Sequence, residues 1–284
     1  MSLYFKLITK GANLSYSAQK DKDAWLTIQM LFTKTSSFIQ LLNGFAYQDG
    51  DVKLSPIIDP TVLFSIARDI YESISMYQLI FILPKTEEQK NVAYALYRIA
   101  GLMERQNFVF DPDNRGATKL LEEELHEIIQ LRRKIKHSEY YKALPKQEKL
   151  RLMGVVNSDR PSARFLYEDT GIKPIEWEKA YLLYGLEDKA FRSLYAYLSN
   201  HTHATYLSFS QYSEAFARIN PQFKHLACMA SQTLAFLLSV YIVDFCKIYE
   251  SAQVVFCEQD EIHQWFIDKL NIDMRGLQYA LSKK

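Results

Sequence analysis

The stretch Leu226-Ala-Cys-Met-Ala-Ser-Gln-Thr-Leu-Ala-Phe-Leu-Leu-Ser-Val-Tyr-Ile-Val243 runs for 18 residues without a charged side chain. Its length is at the minimum for a helix that crosses a membrane. Polar residues interrupt it at 231–233, and Asp244 follows it at once. The pattern therefore favours a buried helix at the centre of a protein core over a membrane span, and we expect no membrane partner.

Helical patterns extend outward from this stretch in both directions. Asp59 and Pro60 have the residue types of an N-cap and a first helical position, and Thr86 with Gln89 resembles a capping box. The chain predicts helices over 21–47, 61–83, 86–107, 117–144, from Pro174 toward 200, from Pro221 to 252, and 258–281. A turn cluster is predicted at 111–116.

The composition agrees with an all-α fold. Only 9 Gly and 8 Pro occur in 284 residues, whereas a β-rich fold with many tight turns needs more of both. With 48% hydrophobic residues, the chain can fill a sizeable core. We therefore expect a multi-helix bundle forming a single domain over 1–284, with an irregular insertion at 145–173. The net charge of +1 excludes a globally basic nucleic-acid binder, though not a local basic patch.

The cysteines indicate a reducing compartment. Cys228, Cys246 and Cys257 are odd in number and form no Cys-x-x-Cys pair, which argues against a disulfide scaffold and a zinc ribbon. We expect them to pack in the core. The N-terminal residues lack the pattern of a signal peptide, so we expect a cytoplasmic protein.

Two of the six histidines lie close together in the segment Tyr195–Tyr206. In an unbroken helix, His203 would share a stripe with Arg192 and Ser199, and His201 would lie on the other flank. An imidazole beside such groups can act as a general acid or base near neutral pH, so His203, His201 and Arg192 are candidate catalytic residues. The alternative is a core histidine satisfied by a neighbouring hydroxyl or carbonyl group.

Arg68 and Glu72 lie four residues apart on one face of an early predicted helix. They are either a surface ion pair of little energetic value or part of a polar pocket that the histidine segment completes. The pocket hypothesis names these candidate ligand-binding residues: Arg68, Glu72, Ser199, Asn200, Tyr206 and, beside them, His203.

The stretch 131–151 is basic, with eight Lys or Arg residues against Glu139 and Glu148. Basic groups interleaved with aromatic rings can hold phosphates and stack bases, although a solvated helix end gives the same pattern. The candidate nucleic-acid patch consists of Arg132, Arg133, Lys134, Lys136, Tyr140 and Tyr141.

Metal-binding patterns are incomplete. Glu123-x-x-His126 matches one helical element of a di-iron bundle, but the second element is missing, since Asp260-x-x-His263 has the wrong acid. His-x-His lacks carboxylates nearby. We therefore expect no metal site and no cofactor.

Arg68-Asp-Ile-Tyr-Glu72 together with Tyr195-x-x-Leu-Ser-x-x-x-His203 resembles a family of uncharacterised bacterial all-helical proteins with an early Arg-x-x-x-Glu and a late Ser-x-x-x-His. The resemblance spans roughly 59–243 and implies a helical fold and a bacterial cytoplasmic setting. The chain is more loosely similar to the HEPN superfamily, whose signature is an Arg followed four to six residues later by a His. Here Arg192 precedes His201 and His203 by nine and eleven residues.

Three functions follow as hypotheses, and whether the protein is an enzyme stays open. The first is binding of a small polar ligand or a protein partner in a pocket between helices. The second, implied by the HEPN likeness, is a metal-independent ribonuclease in defence or a toxin system, in which His203 or His201 activates a ribose 2′-hydroxyl and Arg192 steadies the phosphate. The third is a helical interaction protein or homo-oligomer without a pocket.

Overall fold

A computed structural model of the chain describes residues 1–108, 115–186, 189–203, 205–215 and 222–282. Helices dominate, and the only sheets among the described residues are two small hairpins, so the predicted all-α, multi-helix fold is confirmed. Most of the turn cluster predicted at 111–116 lies outside the described residues, and so does Pro221.

Twelve α-helices and four strands are described, besides shorter turns of other helix types. The helices are α1 (Ser2–Ala12), α2 (Gln19–Leu41), α3 (Pro60–Tyr77), α4 (Glu87–Gln106), α5 (Arg115–His137), α6 (Glu139–Ala143), α7 (Lys146–Val156), α8 (Leu194–Thr202), α9 (Tyr206–Ala215), α10 (Phe223–Ile248), α11 (Glu250–Cys257) and α12 (Glu261–Arg275). The strands are β1 (Phe45–Asp49), β2 (Val52–Ile57), β3 (Phe165–Glu168) and β4 (Gly171–Pro174).

Local capping residues set the starts of two helices as the sequence predicts. The Asp59 carboxylate accepts hydrogen bonds from the backbone and the hydroxyl of Thr61, and Pro60 occupies the first position of α3. At α4, Thr86 and Gln89 form a complete capping box. Each cap satisfies backbone N–H groups that the first turn of a helix leaves without intrahelical partners.

Two predicted helices differ from expectation, one in its length and the other in its helix type. Helix α2 stops at Leu41 instead of 47, because the next residues form the antiparallel hairpin β1–β2. Gly50, with φ +55°, begins the two-residue turn of that hairpin, where a left-handed conformation favours glycine. Helix α3 continues after Tyr77 as a π-helix over Gln78–Ile82, so the predicted helix over 61–83 changes type in its apolar half.

The chain divides into two compact units, and the single domain predicted from the sequence stays a prediction. Unit 1 comprises Met1–Ser75 and Trp177–Lys284, and unit 2 comprises Met76–Glu176. In unit 1, the Phe245 ring of α10 lies 4.9 Å edge-on from Trp25 of α2, and Tyr241 stacks 6.3 Å from Tyr4 of α1. Helices α1, α2 and α12 all contact α10. Contacts on several sides are what we expect of a central apolar helix.

Unit 2 has a core of its own. Apolar side chains of α4 and α5, among them Leu96 and Ile128, pack with Leu152 of α7 and Ile172 of β4. The segment 145–173, predicted to be irregular, therefore contains helix α7 and most of the hairpin β3–β4. Pro174 ends β4 instead of opening a helix, and a 3₁₀-helix follows at Trp177–Tyr184 in unit 1.

Helix α10 is the one helix in the described part of the chain that is long and apolar enough to span a membrane, judged by length and composition. Most of its most apolar 18-residue window, 61%, is buried inside the protein. Core helices of soluble proteins meet the same criterion, and burial of this extent is compatible with the core helix that the sequence predicts.

Candidate functional site

Helix α3 places a guanidinium and a carboxylate side by side in unit 1. Arg68 Nε donates a hydrogen bond of 2.8 Å to Glu72 Oε1, one helical turn farther along. Ile70 and Ile74, on a different face, are fully buried and anchor the helix. The ion pair is only partly shielded, since the two side chains are 18% and 30% exposed.

Helix α8 adds a phenol to this pair. Arg68 Nη2 donates to the Tyr195 hydroxyl at 3.0 Å, and this hydroxyl in turn donates to Glu72 Oε1 at 3.1 Å. The guanidinium carbon also lies 5.2 Å from the centre of the Tyr195 ring. The three groups therefore form a closed triangle of hydrogen bonds.

His203 completes the group at the end of α8. The helix stops at Thr202, and His203 follows in an extended conformation that leaves its side chain exposed. Its Nε2 lies 3.2 Å from Arg68 Nη1. Because a guanidinium can only donate, Nε2 is the acceptor and the proton of the neutral ring is on Nδ1. We call Arg68, Glu72, Tyr195 and His203 the polar cluster.

The charges and burial within the polar cluster keep Arg68 protonated and the Tyr195 hydroxyl neutral. Burial raises the pKa of Tyr195, the Glu72 carboxylate raises it further, and the hydrogen bond from Arg68 offsets part of the rise. For Arg68, burial alone would lower the pKa, but the hydrogen bond and charge of Glu72 outweigh burial and the net shift is upward. Near neutral pH the tyrosine therefore keeps its proton and the arginine its charge.

Hydrogen-bonding capacity is left over for another molecule. A guanidinium has five N–H groups, and the bonds to Glu72, Tyr195 and His203 use three of them. The two bonds to Glu72 both fall on Oε1. Arg68, Glu72 and the exposed His203 can therefore offer both donors and an acceptor at one place.

Buried tyrosines support the polar cluster from behind. Tyr71 packs 5.7 Å from the Tyr195 ring and edge-on to Tyr184. The Tyr184 hydroxyl donates to the Tyr71 carbonyl at 3.0 Å and lies 2.6 Å from the Ser75 hydroxyl. This packing restrains the rotamer of Tyr195 and hence the position of its hydroxyl group.

Tyr195 was not among the predicted site residues. Tyr195 is buried, but its hydroxyl reaches the polar cluster. The sequence contains a pattern that indicates this role. Tyr195, Ser199 and His203 follow one another at four-residue steps and so share a helical face.

The two histidines of the segment do not converge. His201 is buried against Phe64, with ring centroids 4.6 Å apart and nearly parallel planes, and Tyr197 meets its edge. Among the described residues neither ring nitrogen of His201 has a hydrogen-bond partner. His201 is therefore packed as a core residue, and its ring forms no hydrogen bond with the polar cluster.

Burial lowers the pKa of His201, and the charge of Asp59 offsets this only in part. Its folded-state pKa therefore lies below the unfolded value of about 6.5, so the unfolded chain binds the proton first and stability is lost as the pH falls below about 6.5. We expect His201→Phe to be more stable than the wild type at pH 8, by about 1 kcal/mol, because it removes two unsatisfied nitrogens. Its advantage should grow as the pH falls to 5.

Urea unfolding of the wild type and of His201→Phe at pH 8, 6.5 and 5 measures this. His225→Phe, which alters an exposed histidine of the same unit, is the matched control and should show no such growth. A stability difference that stays constant with pH would contradict the expectation.

The remaining residues of the two predicted site groups form no side-chain hydrogen bond with the polar cluster among the described residues. Arg192 is exposed, and no hydrogen bond joins it to either histidine among the described residues, so its catalytic role stays a prediction. Ser199 and Asn200 are half-buried and accept through their backbone carbonyls, from His203 N and Thr205 Oγ1. Tyr206 is 86% exposed at the start of α9.

Unit 2 carries the predicted nucleic-acid patch, and two of its members have structural roles. Tyr140 is buried, and its hydroxyl bonds to the carbonyl oxygens of Glu168 and Gly171 at 2.8 Å, so its ring cannot stack on a base. Arg132 donates to the Val156 carbonyl at 3.1 Å. Arg133, Lys134 and Lys136 are exposed, and Tyr141 is half-buried.

Among the described residues no group of three or more His, Cys, Asp or Glu side chains is arranged to hold a metal ion. All three cysteines are free thiols. Cys246 packs in the core as predicted, whereas Cys228 and Cys257 are exposed, because they lie on the outward faces of α10 and α11.

Comparison with known proteins identifies no relative of this chain. No protein-family model matches the chain, and neither a curated protein nor a solved structure is detectably similar to it. Functional arguments therefore rest on the polar cluster and its surroundings.

Proposed function

We propose that the polar cluster binds a small polar ligand that carries an anionic group beside a hydroxyl. The observation that carries the proposal is the 3.2 Å contact between Arg68 and His203, 135 residues apart in the sequence. Arg68 and Glu72 neutralise each other, so a ligand that both accepts and donates fits the cluster better than a simple anion. Free thiols and the resemblance described above support a bacterial cytoplasmic setting for this binding.

Thermal unfolding with defined probes tests this proposal. Inorganic phosphate, a ribonucleoside 5′-monophosphate and a short hydroxy acid are each titrated into the wild type, Arg68→Ala and the matched control Arg192→Ala. A probe at 100 times its dissociation constant should stabilise the wild type and the control by about 2.7 kcal/mol. Arg68→Ala should lose at least tenfold in affinity, because it loses the remaining guanidinium N–H groups.

A probe that stabilises Arg68→Ala as strongly as the wild type would show that binding occurs elsewhere. Arg68→Lys separates charge from geometry: it keeps the cation but cannot reach Glu72, Tyr195 and His203 together, so its affinity should stay near that of Arg68→Ala. Absence of stabilisation by all three probes would contradict the proposal.

The contact between an imidazole and a guanidinium favours metal-independent RNA cleavage as a second candidate. In this reaction His203 Nε2 takes the proton of a ribose 2′-hydroxyl, the 2′ oxygen attacks the neighbouring phosphorus, and the 5′ oxygen leaves and takes up a proton from water. Arg68 would leave Nε2 and stabilise the phosphate oxygens as negative charge develops. Arg68 thus takes the role that the HEPN likeness gave to Arg192.

A further inference from the structure

A cavity lies in unit 1, and none of the residues of the polar cluster lines it. It has a volume of about 410 Å³, within the range of about 300–1,000 Å³ that small-molecule sites occupy. Helices α1, α2, α10 and α12 form its walls. We call it the apolar groove, and its principal lining residues are Leu3, Phe38, Leu234, Leu238, Ile242 and Ile267.

Three hydroxyl groups that line the apolar groove are already bonded to backbone carbonyl groups of the protein. Thr35 donates to the Leu31 carbonyl at 2.7 Å, and Ser231 donates to the Ala227 carbonyl at 2.8 Å. The Tyr4 hydroxyl donates to the Leu238 carbonyl at 3.0 Å. A ligand therefore meets a mainly apolar wall, and burial of an alkyl chain is its main source of affinity.

One part of the groove border is different, because it carries charged and amide side chains. Lys6 Nζ lies 3.4 Å from Gln259 Oε1, and Gln259 Nε2 is fixed by the Val255 carbonyl at 2.8 Å. The nearby carboxylate of Asp260 is bonded at 2.5 Å by His263 Nδ1 and at 2.9 Å by the His263 backbone. Lys6 is thus a positive charge held by a neutral amide, at the border of an apolar cleft.

We propose that the apolar groove binds an unbranched fatty acid, with the alkyl chain between α2 and α10 and the carboxylate at Lys6. The complementary charge and the hydrocarbon wall together select this class of ligand. A sugar or nucleotide would leave its hydroxyl groups unpaired along the wall, which is unfavourable. The proposal is independent of the polar cluster and its function.

A chain-length series tests the hydrocarbon part. Hexanoate, octanoate, decanoate and dodecanoate, each below its micelle concentration, are titrated into the full chain by calorimetry. Affinity should rise about fourfold for each added methylene group until the groove is filled, and then level off. Affinity that does not depend on chain length would overturn the proposal.

Two variants locate the site. Ala235 lines the groove, so Ala235→Phe should fill it and reduce decanoate affinity at least tenfold, and Ala235→Leu should give a smaller loss in a milder change. Ala12→Phe, at an exposed position near the end of α1, is the matched control and should bind like the wild type. Equal binding by the wild type and both Ala235 variants would overturn the site assignment.

The charged end is tested by comparing decanoate with decanol. Lys6→Met keeps most of the side chain but removes the charge, and it should weaken decanoate about two- to fivefold while decanol binding is unchanged. Equal losses for both probes would overturn the role of Lys6. A different outcome would identify the groove as an interface between two copies of the chain. In that case the wild type is a dimer, Ala235→Phe is a monomer and no alkyl carboxylate binds. This result would overturn the proposal.

Discussion

Replacing Arg275 by alanine is expected to lower the free energy of unfolding by about 3–5 kcal/mol, since removal of one partner leaves a buried charge uncompensated. Arg275 Nη2 donates to both Asp244 carboxylate oxygens at 2.8 Å, and the two side chains are 2% and 3% exposed. Its Nη1 donates to Asn271 and its Nε to the Tyr184 carbonyl. One residue thus joins α10, α12 and the 3₁₀-helix in unit 1.

Chemical denaturation of Arg275→Ala, Arg275→Lys and the exposed control Arg192→Ala measures this effect. The lysine variant should remain strongly destabilised, because one ammonium group cannot replace three differently directed nitrogens. The double variant Asp244→Leu with Arg275→Met should recover much of the loss, since it removes the unpaired carboxylate together with its partner. A loss below about 1 kcal/mol in Arg275→Ala would contradict the structural role.

If the protein cleaves RNA, His203→Ala is expected to reduce the rate by about 10²- to 10⁴-fold, the usual contribution of general acid–base catalysis. The measurement is cleavage of a single-stranded RNA oligonucleotide in EDTA, with detection of the 2′,3′-cyclic phosphate that attack by the 2′ oxygen leaves. The same oligonucleotide as DNA lacks the 2′-hydroxyl and should remain intact.

His225→Ala is the matched control, because it removes another exposed histidine from unit 1. It should cleave at the wild-type rate. RNA that stays intact with the wild type, or that His203→Ala cleaves equally fast, would rule out the ribonuclease proposal and leave binding of a polar ligand as the function to test.

Local features of the fold were predictable because their causes are close in sequence. Asp59 and Pro60 mark the start of α3, and Thr86 with Gln89 marks the start of α4, each through hydrogen bonds or backbone geometry within four residues. The uncharged stretch of α10 was equally visible, since burial on all sides requires apolar residues on every face.

Features that depend on distant partners were missed. The burial of Tyr140 depends on carbonyl groups of the hairpin β3–β4, 28 and 31 residues farther along, and nothing in the residues around Tyr140 indicates them. The hairpin β1–β2 was hidden by a helical pattern that continued past Leu41. Tertiary contacts of this kind override local propensity.

The candidate site shows both situations. The spacing of Arg68 and Glu72 on one helix, and the position of His203 beyond a helical run, suggested that the three groups meet, and the hydrogen bonds between them are present. The separation of His201 from His203 was foreseen for a continuous helix, but the end of α8 at Thr202 could not be fixed from the sequence. The stripe that would join Arg192, Ser199 and His203 assumes an unbroken helix, whereas Arg192 lies in a 3₁₀-helix before α8 and His203 lies beyond its end.

The hydrogen bond that His203 accepts from Arg68 affects when the imidazole can react. While the guanidinium occupies the lone pair of Nε2, the imidazole is a poor nucleophile and a poor base toward bystander molecules. A molecule with a better acceptor for Arg68 draws it away and frees that lone pair in the same event. If the protein cleaves RNA as proposed, the imidazole would therefore be held inert at rest, and binding of the substrate phosphate would release its reactivity.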